Sequence, residues 1–230
     1  MTPRIIVSYD DTDNDRDALA LGRLLAVSGA DLSLAYVRHQ QADARDRESL
    51  EQKRAEELLA HGAQAIGAPD APRHVIVHAS TGEGLIELAE REQADVVVFG
   101  SEYRTAAGSV VPGTSAQRML KGGPTAVAIA PADLRSHASV RVAKIGILSD
   151  GDDAAEDTAQ TLANVLGAKI GDPDTEQVDL LVVGSRDGTP EGRLELSAVA
   201  EYAIETATSP VLAVARATPV LFTEPVLSGV

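Results

Sequence analysis

The stretch ADVVVFGSEYRTAAGSVVPGTSAQ, residues 94–117, decides how the chain is read. Its first half, ADVVVF, carries apolar side chains on consecutive positions, which fits a strand buried on both faces of a sheet. The chain leaves that strand through Gly100-Ser101 and enters a helix through Gly113-Thr114-Ser115. Such a connection either wraps backbone N–H groups around an anion or is a surface loop built from turn residues.

Working outward, strand-like and helix-like runs alternate. RIIVSY (4–9), DLSLAYV (31–37), HVIVHA (74–79), DVVVFG (95–100) and TAVAIAP (125–131) read as strands. Between them, residues 15–30 read as a helix with Ala18, Leu21 and Leu25 on one face. Residues 48–66 give a charged helix with a stripe through Leu50, Leu58 and Ala65. Residues 82–93 form a helix with Leu85, Ile86 and Ala89 inward, and 114–123 a short one. Apolar strands separated by helices predict a parallel sheet covered on both faces, hence a doubly wound α/β domain of five strands over residues 1–132.

Residues 132–141 read as a polar linker, after which the pattern restarts. VAKIGILSD (142–150) echoes the first strand, VDLLVVGS (178–185) echoes ADVVVFGS, and SPVLAVA (209–215) echoes PTAVAIA. Gly100 to Pro124 and Gly184 to Pro210 are nearly equal intervals, which predicts one unit used twice. The second copy, residues 141–217, is shortened in its middle, with AKIG (168–171) as the only trace of a further strand there. A unit that small is marginal alone, so it is expected to pack on the first. The tail, 218–230, holds an apolar run from Val220 to Phe222 that suggests an edge strand or a crossing to a neighbour.

Bulk properties exclude several functions. The chain has 230 residues, 44% of them hydrophobic but only 3% aromatic, so the core must be aliphatic. A formal net charge of −15 repels nucleic-acid backbones. The absence of cysteine removes disulfides, thiolate catalysis and cysteine-bound metals. No run is long and apolar enough for a membrane span, and the N-terminus does not read as a signal peptide. A cytoplasmic protein with no membrane and no nucleic-acid partner is expected. GxxxxGK[ST], G-x-S-x-G and a complete EF-hand loop are all missing. The five histidines show no metal spacing, and His74 and His78 are expected to face solvent.

Ligands of open α/β sheets lie beyond the carboxyl ends of the strands. Three features fall there. Asp10 ends strand one, where a carboxylate can accept from a ribose or base; most of the following DTDND run is explained by helix capping and the helix dipole. Gly100 and Gly113 permit a sharp turn and close backbone approach, and Thr114 with Gln117 matches a capping box, with Ser115 beside it. Val37, at the end of strand two, could present backbone groups to a flat base.

These residues together resemble the universal stress protein family. The resemblance rests on the strand ending in Asp10, the ADVVVFGS strand, the glycine loop and PTAVAIAP. It covers residues 3–132 and, as a shortened repeat, 142–216, so the chain looks like a tandem member. The resemblance implies an adenine-nucleotide alpha hydrolase-like fold and an ATP-binding loop of pattern G-x2-G-x9-G-[S/T]. Gly100 and Gly113-Thr114 match that pattern, while Tyr103 stands at the middle glycine. By resemblance, Asp10, Val37, Gly100, Gly113, Thr114 and Ser115 would contact ATP, with or without Mg2+, in the first repeat. The second repeat keeps Asp150 and Gly184 but has Asp187 and Ser197-Ala198 where glycines are expected, so no nucleotide is expected there. The sequence offers no general base or arginine finger, so hydrolysis is expected to be slow at most. Family members pair through the last strand; a homodimer and an intrachain pseudo-dimer are both open. The alternative function is a degenerate regulatory or interaction scaffold that binds no nucleotide.

Overall fold

The computed structural model describes residues 2–27, 29–39, 45–137 and 141–223. The first half runs β1 (Arg4–Ser8), α1 (Asp13–Ala26), β2 (Asp31–Arg38), α2 (Arg45–Ala65), β3 (Arg73–Val77), α3 (Thr81–Glu92), β4 (Val96–Gly100), α4 (Thr114–Leu120), β5 (Lys121–Gly123) and β6 (Ala126–Ala130). A 3-10 turn (Leu134–His137) follows. The second half adds β7 (Lys144–Leu148), α5 (Ala154–Leu166), β8 (Lys169–Gly171), β9 (Leu180–Gly184), β10 (Leu194–Glu195), α6 (Ala198–Glu205) and β11 (Val211–Val214).

Nine strands form one sheet in the order β3-β2-β1-β4-β6-β11-β9-β7-β8. Every pairing is parallel except β6 with β11. The doubly wound α/β arrangement expected from the alternating pattern is therefore present, and the second set of strands extends the same sheet. Apolar residues on both faces of the central strands explain the two-sided covering. Val96, Val98, Ala126 and Ala128 join one core with α1, α2 and α5 residues. Val97, Phe99, Val127 and Ile129 join the other with α3, α4 and α6 residues. Alternating alanine with larger aliphatics in AVAIA leaves a shallow face on which α1 lies close to β6.

The antiparallel junction is reciprocal. Val127, Ala128 and Ile129 face Ala213, Leu212 and Val211, so the register centres on Ala128 opposite its counterpart Leu212. The loops repeat this relation. Leu194 of β10 pairs with Gly123 of β5, while the equivalent Val110 donates its N–H to the carbonyl of Ala207 at 3.2 Å. These paired contacts have the form of a self-complementary twofold interface, here within one chain. AKIG supplies β8 beside β7; no residues follow it that match α2, β3 or α3.

Four expectations need correction. The described part of the tail, residues 218–223, does not add a strand. Instead Val220 N–H donates to Thr158 Oγ1 (2.9 Å) and Phe222 N–H to Thr161 Oγ1 (3.3 Å), laying both side chains onto α5; residues 224–230 lie outside the described residues. The linker is not free at its start. Leu134 is buried, and the carboxylate of Asp17, on α1, accepts from the N–H groups of Asp133 and Arg135. The inward face of α2 is Ala55, Leu59, Gly62 and Ala63, one position off the expected stripe, and Leu50 and Ala65 are exposed. His74 and His78 are half-buried at the sheet margin, beside Glu92 and Glu87, rather than turned to solvent. Burial lowers the pKa of His74, against the opposing pull of Glu92.

Candidate functional site

The helix α1 begins where local chemistry dictates. Thr12 is the N-cap, accepting from Asp15 N–H at 3.2 Å, and the Asp15 carboxylate accepts from Thr12 N–H at 3.2 Å, completing a capping box. Asp10 precedes this cap at the carboxyl end of β1, and its N–H also donates to Asp15 Oδ2. Between them Asp11 sits at φ 65°, a strained value for a non-glycine residue. Its carboxylate accepts from Tyr9 Oη at 2.8 Å and pairs with Arg16 at 3.0 Å. Burial, reinforced by that carboxylate, pushes the Tyr9 phenol up to about 12, so it stays a donor.

Gly100 ends β4 under the first turn of α1. A Cβ there would lie 2.0 Å from the carbonyl oxygen of Asn14. Helix-to-strand packing alone therefore demands this glycine. The loop after it is internally bonded. Ser101 Oγ donates to Ala130 O (2.7 Å) and accepts from Val111 N–H, Glu102 N–H reaches Val111 O, and Gly108 N–H reaches Ala132 O. Side-chain and main-chain polar groups thus fix the loop against the end of β6.

Gly113 differs from Gly100. It is the N-cap of α4 at φ −70°, and a Cβ there would meet nothing within 4 Å. No contact among the described residues requires a glycine at this position. The expected capping box does not form: α4 has no side-chain cap, and Gln117 Nε2 donates instead to Pro112 O at 2.9 Å. The amides of Thr114, Ser115 and Ala116 consequently have no acceptor among the described residues.

Asp10, Val37, Gly100, Gly113, Thr114 and Ser115 all border one cavity of about 330 Å³. All six positions singled out in the sequence are brought together beyond the carboxyl ends of β1, β2 and β4. Asp15, Glu102, His39 and Thr81 also border it and were not anticipated. Asp15 had a capping signature that masked its position; His39 and Thr81 meet only because the end of β2 and the start of α3 lie side by side (3.4 Å). Among the described residues the wall carries three carboxylates and neither lysine nor arginine. Burial and the neighbouring Asp10 carboxyl push Asp15 up to about 7, so Asp15 keeps its proton in mild acid. Tyr103 stands at the rim, 77% exposed, with Arg104 stacked on its ring at 5.2 Å. It borders the hollow without filling it. Among the described residues no group of three or more histidines and carboxylates is arranged to hold a metal.

The second half reproduces the loop bonds. Ser185 Oγ donates to Val214 O (2.9 Å), Arg186 N–H reaches Glu195 O, and Gly192 N–H reaches Arg216 O. It differs at the cap: Ser197 replaces Gly113, and its Oγ accepts from Ala200 N–H at 3.2 Å.

Comparison with known proteins agrees with this geometry. The model of the universal stress protein family matches residues 1–131. A universal stress protein from Archaeoglobus fulgidus DSM 4304 superposes with a TM-score of 0.70 at 16% identity, covering 93% of this chain and 98% of that one. A universal stress protein in complex with cAMP gives 0.44 at 24% identity, over 57% and 98% of the two chains. The A. fulgidus universal stress protein in complex with dAMP gives 0.32 at 16%, over 42% and 78%. No protein of curated function matches significantly. The helices of the described residues include none long and apolar enough to cross a membrane. With more than half of its length matched by the family model, the chain belongs to the universal stress protein family.

Proposed function

We propose that this is a cytoplasmic stress-response protein that binds one adenine nucleotide in the cavity of its first half, with little or no hydrolysis. The observation that carries the reading is Gly113: the fold does not need a glycine there, while a ligand approaching the open amides of α4 does. Asp10 and Val37 then take the adenosine end, and the Gly113–Ser115 turn the phosphate end. The Asp10 and Glu102 carboxylates, joined by Asp15 where it is ionised, disfavour a bare triphosphate. ATP is therefore expected to enter as its Mg2+ complex, the metal arriving with the nucleotide, and AMP to need no metal. Among the described residues neither an arginine nor a lysine borders the site to stabilise phosphoryl transfer, which favours holding over hydrolysis.

The second half is read as a shortened tandem copy that has lost the site. Ser197 closes the amide that Gly113 leaves open, and Asp187 packs against Gly151 beside Asp150. Calorimetry with AMP, ATP and Mg-ATP tests both statements. One site per chain is expected, with ATP gaining affinity when Mg2+ is added. Two sites would overturn the loss in the second half. A flat titration at millimolar nucleotide would leave the scaffold reading in its place.

A further inference from the structure

A second cavity, of about 670 Å³, runs along α1 between the ends of α2 and α5. Its floor is aliphatic: Leu19, Ala20, Leu24, Leu134, Val165 and Leu166. Its border carries Arg16, Arg23, Arg135, Arg141 and His137 and not one carboxylate. In a chain with 35 acidic against 20 basic residues this is a strong segregation of charge, and it is opposite to the acidic wall of the nucleotide cavity. Clustered arginines repel one another unless an anion sits among them. Arg16 is held by Asp11 and Asp13, and Arg135 by Asp13 and Asp17. Arg23 and Arg141 have no partner among the described residues. One turn beyond Arg23, Val27 is 66% exposed, extending the apolar floor toward solvent.

We propose that this cavity binds a small anionic amphiphile, an unbranched aliphatic chain ending in a carboxylate. The volume lies within the range of small-molecule sites, about 300–1,000 Å³. The floor lacks any aromatic ring on which a base or planar acid could stack, which selects a saturated chain. The head group meets Arg23 and Arg141, whose planar guanidinium groups suit a carboxylate.

The test is calorimetry of the whole chain with dodecanoate, and with dodecyltrimethylammonium as a probe of opposite charge, both below their micellar concentrations. Dodecanoate is expected to saturate one site per chain, and the cation to show no saturable binding. The double variant Arg23→Ala/Arg141→Ala, at two exposed positions, is expected to bind about tenfold more weakly with an unchanged melting temperature. Ala20→Phe, which fills the floor, is expected to lose binding; should it fail to fold, the arginine variant still decides. Adenosine is expected not to displace dodecanoate. No saturation, equal binding of the cation, wild-type affinity in the arginine variant, or displacement by adenosine would each overturn the proposal.

Discussion

Two glycines of one loop make opposite predictions under substitution. At Gly100 a new Cβ falls 2.0 Å from the Asn14 carbonyl oxygen, roughly 1.5 Å inside a relaxed contact. Helix α1 cannot withdraw easily, because Asn14 Nδ2 donates to Ser101 O at 2.6 Å and Asp17 holds the segment after β6. Gly100→Ala is therefore expected to cost about 3 kcal/mol, which lowers the melting temperature by roughly 6–12 °C in a chain of this size. At Gly113 the added atoms enter open space, and the backbone already has the N-cap geometry that Ser197 uses for its bond to Ala200. Gly113→Ser is expected to raise stability by a few tenths of a kcal/mol, about 1 °C. The same serine would take the free amide of Ala116 and intrude on the cavity, so AMP affinity is expected to fall at least about tenfold. Thermal melts and calorimetry on the two variants read both quantities. Wild-type AMP binding by Gly113→Ser would refute the view that this glycine keeps room for a ligand, and a wild-type melt for Gly100→Ala would refute the packing account.

Asp15 sits at about 7 in the folded chain against an ordinary value near 3.8. Between those values the folded state keeps a proton that the unfolded state releases, so this group's contribution to stability falls as pH rises from about 4 to 7 and is flat above. Asp15→Asn is expected to flatten that fall, read as urea midpoints at pH 5 and 8; an unchanged slope contradicts the assignment. Asp17→Ala leaves the N–H groups of Asp133 and Arg135 without their acceptor and removes one of the two carboxylates that hold the Arg135 guanidinium, with an expected loss of about 3 kcal/mol in urea unfolding; a loss under 1 kcal/mol would show that the segment after β6 is held otherwise. Gln93 caps α3 at φ 52° and is exposed, so Gln93→Gly is expected to gain about 1 kcal/mol. A loss in that variant would mean its side chain contributes more than its backbone strain costs.

Much of the fold is legible because strands buried on two faces leave unbroken apolar runs. ADVVVF and TAVAIA could be placed within a residue or two, and Ala18, Leu21 and Leu25 do face the core. The six site positions were legible because carboxyl ends of strands converge wherever the sheet is parallel, so Asp10 and Gly100 had to be neighbours. What was not legible depends on contacts between segments far apart in sequence. The stripe of α2 slipped by a position because charged residues flank apolar ones on both sides of it. Thr114 and Gln117 have the residue types of a capping box, but Gln117 finds Pro112 O first. The tail reads as a strand, yet two threonine hydroxyls on α5 take its N–H groups. The basic cavity draws its arginines from α1, the 3-10 turn and the segment before β7, and no local pattern joins them.

The antiparallel seam at Ala128 and Leu212 fixes the valency of the molecule. With β11 hydrogen-bonded along the outer edge of β6, a second copy cannot add itself at that strand, and among the described residues the margins of the nine-stranded ribbon are β3 and β8. On the proposed reading, where two identical halves would offer two equal receptors able to influence each other, this chain joins one competent half to one closed half. A simple hyperbolic saturation curve is then the expected outcome, and the closed half would be free to diverge as a platform without disturbing the response of the other.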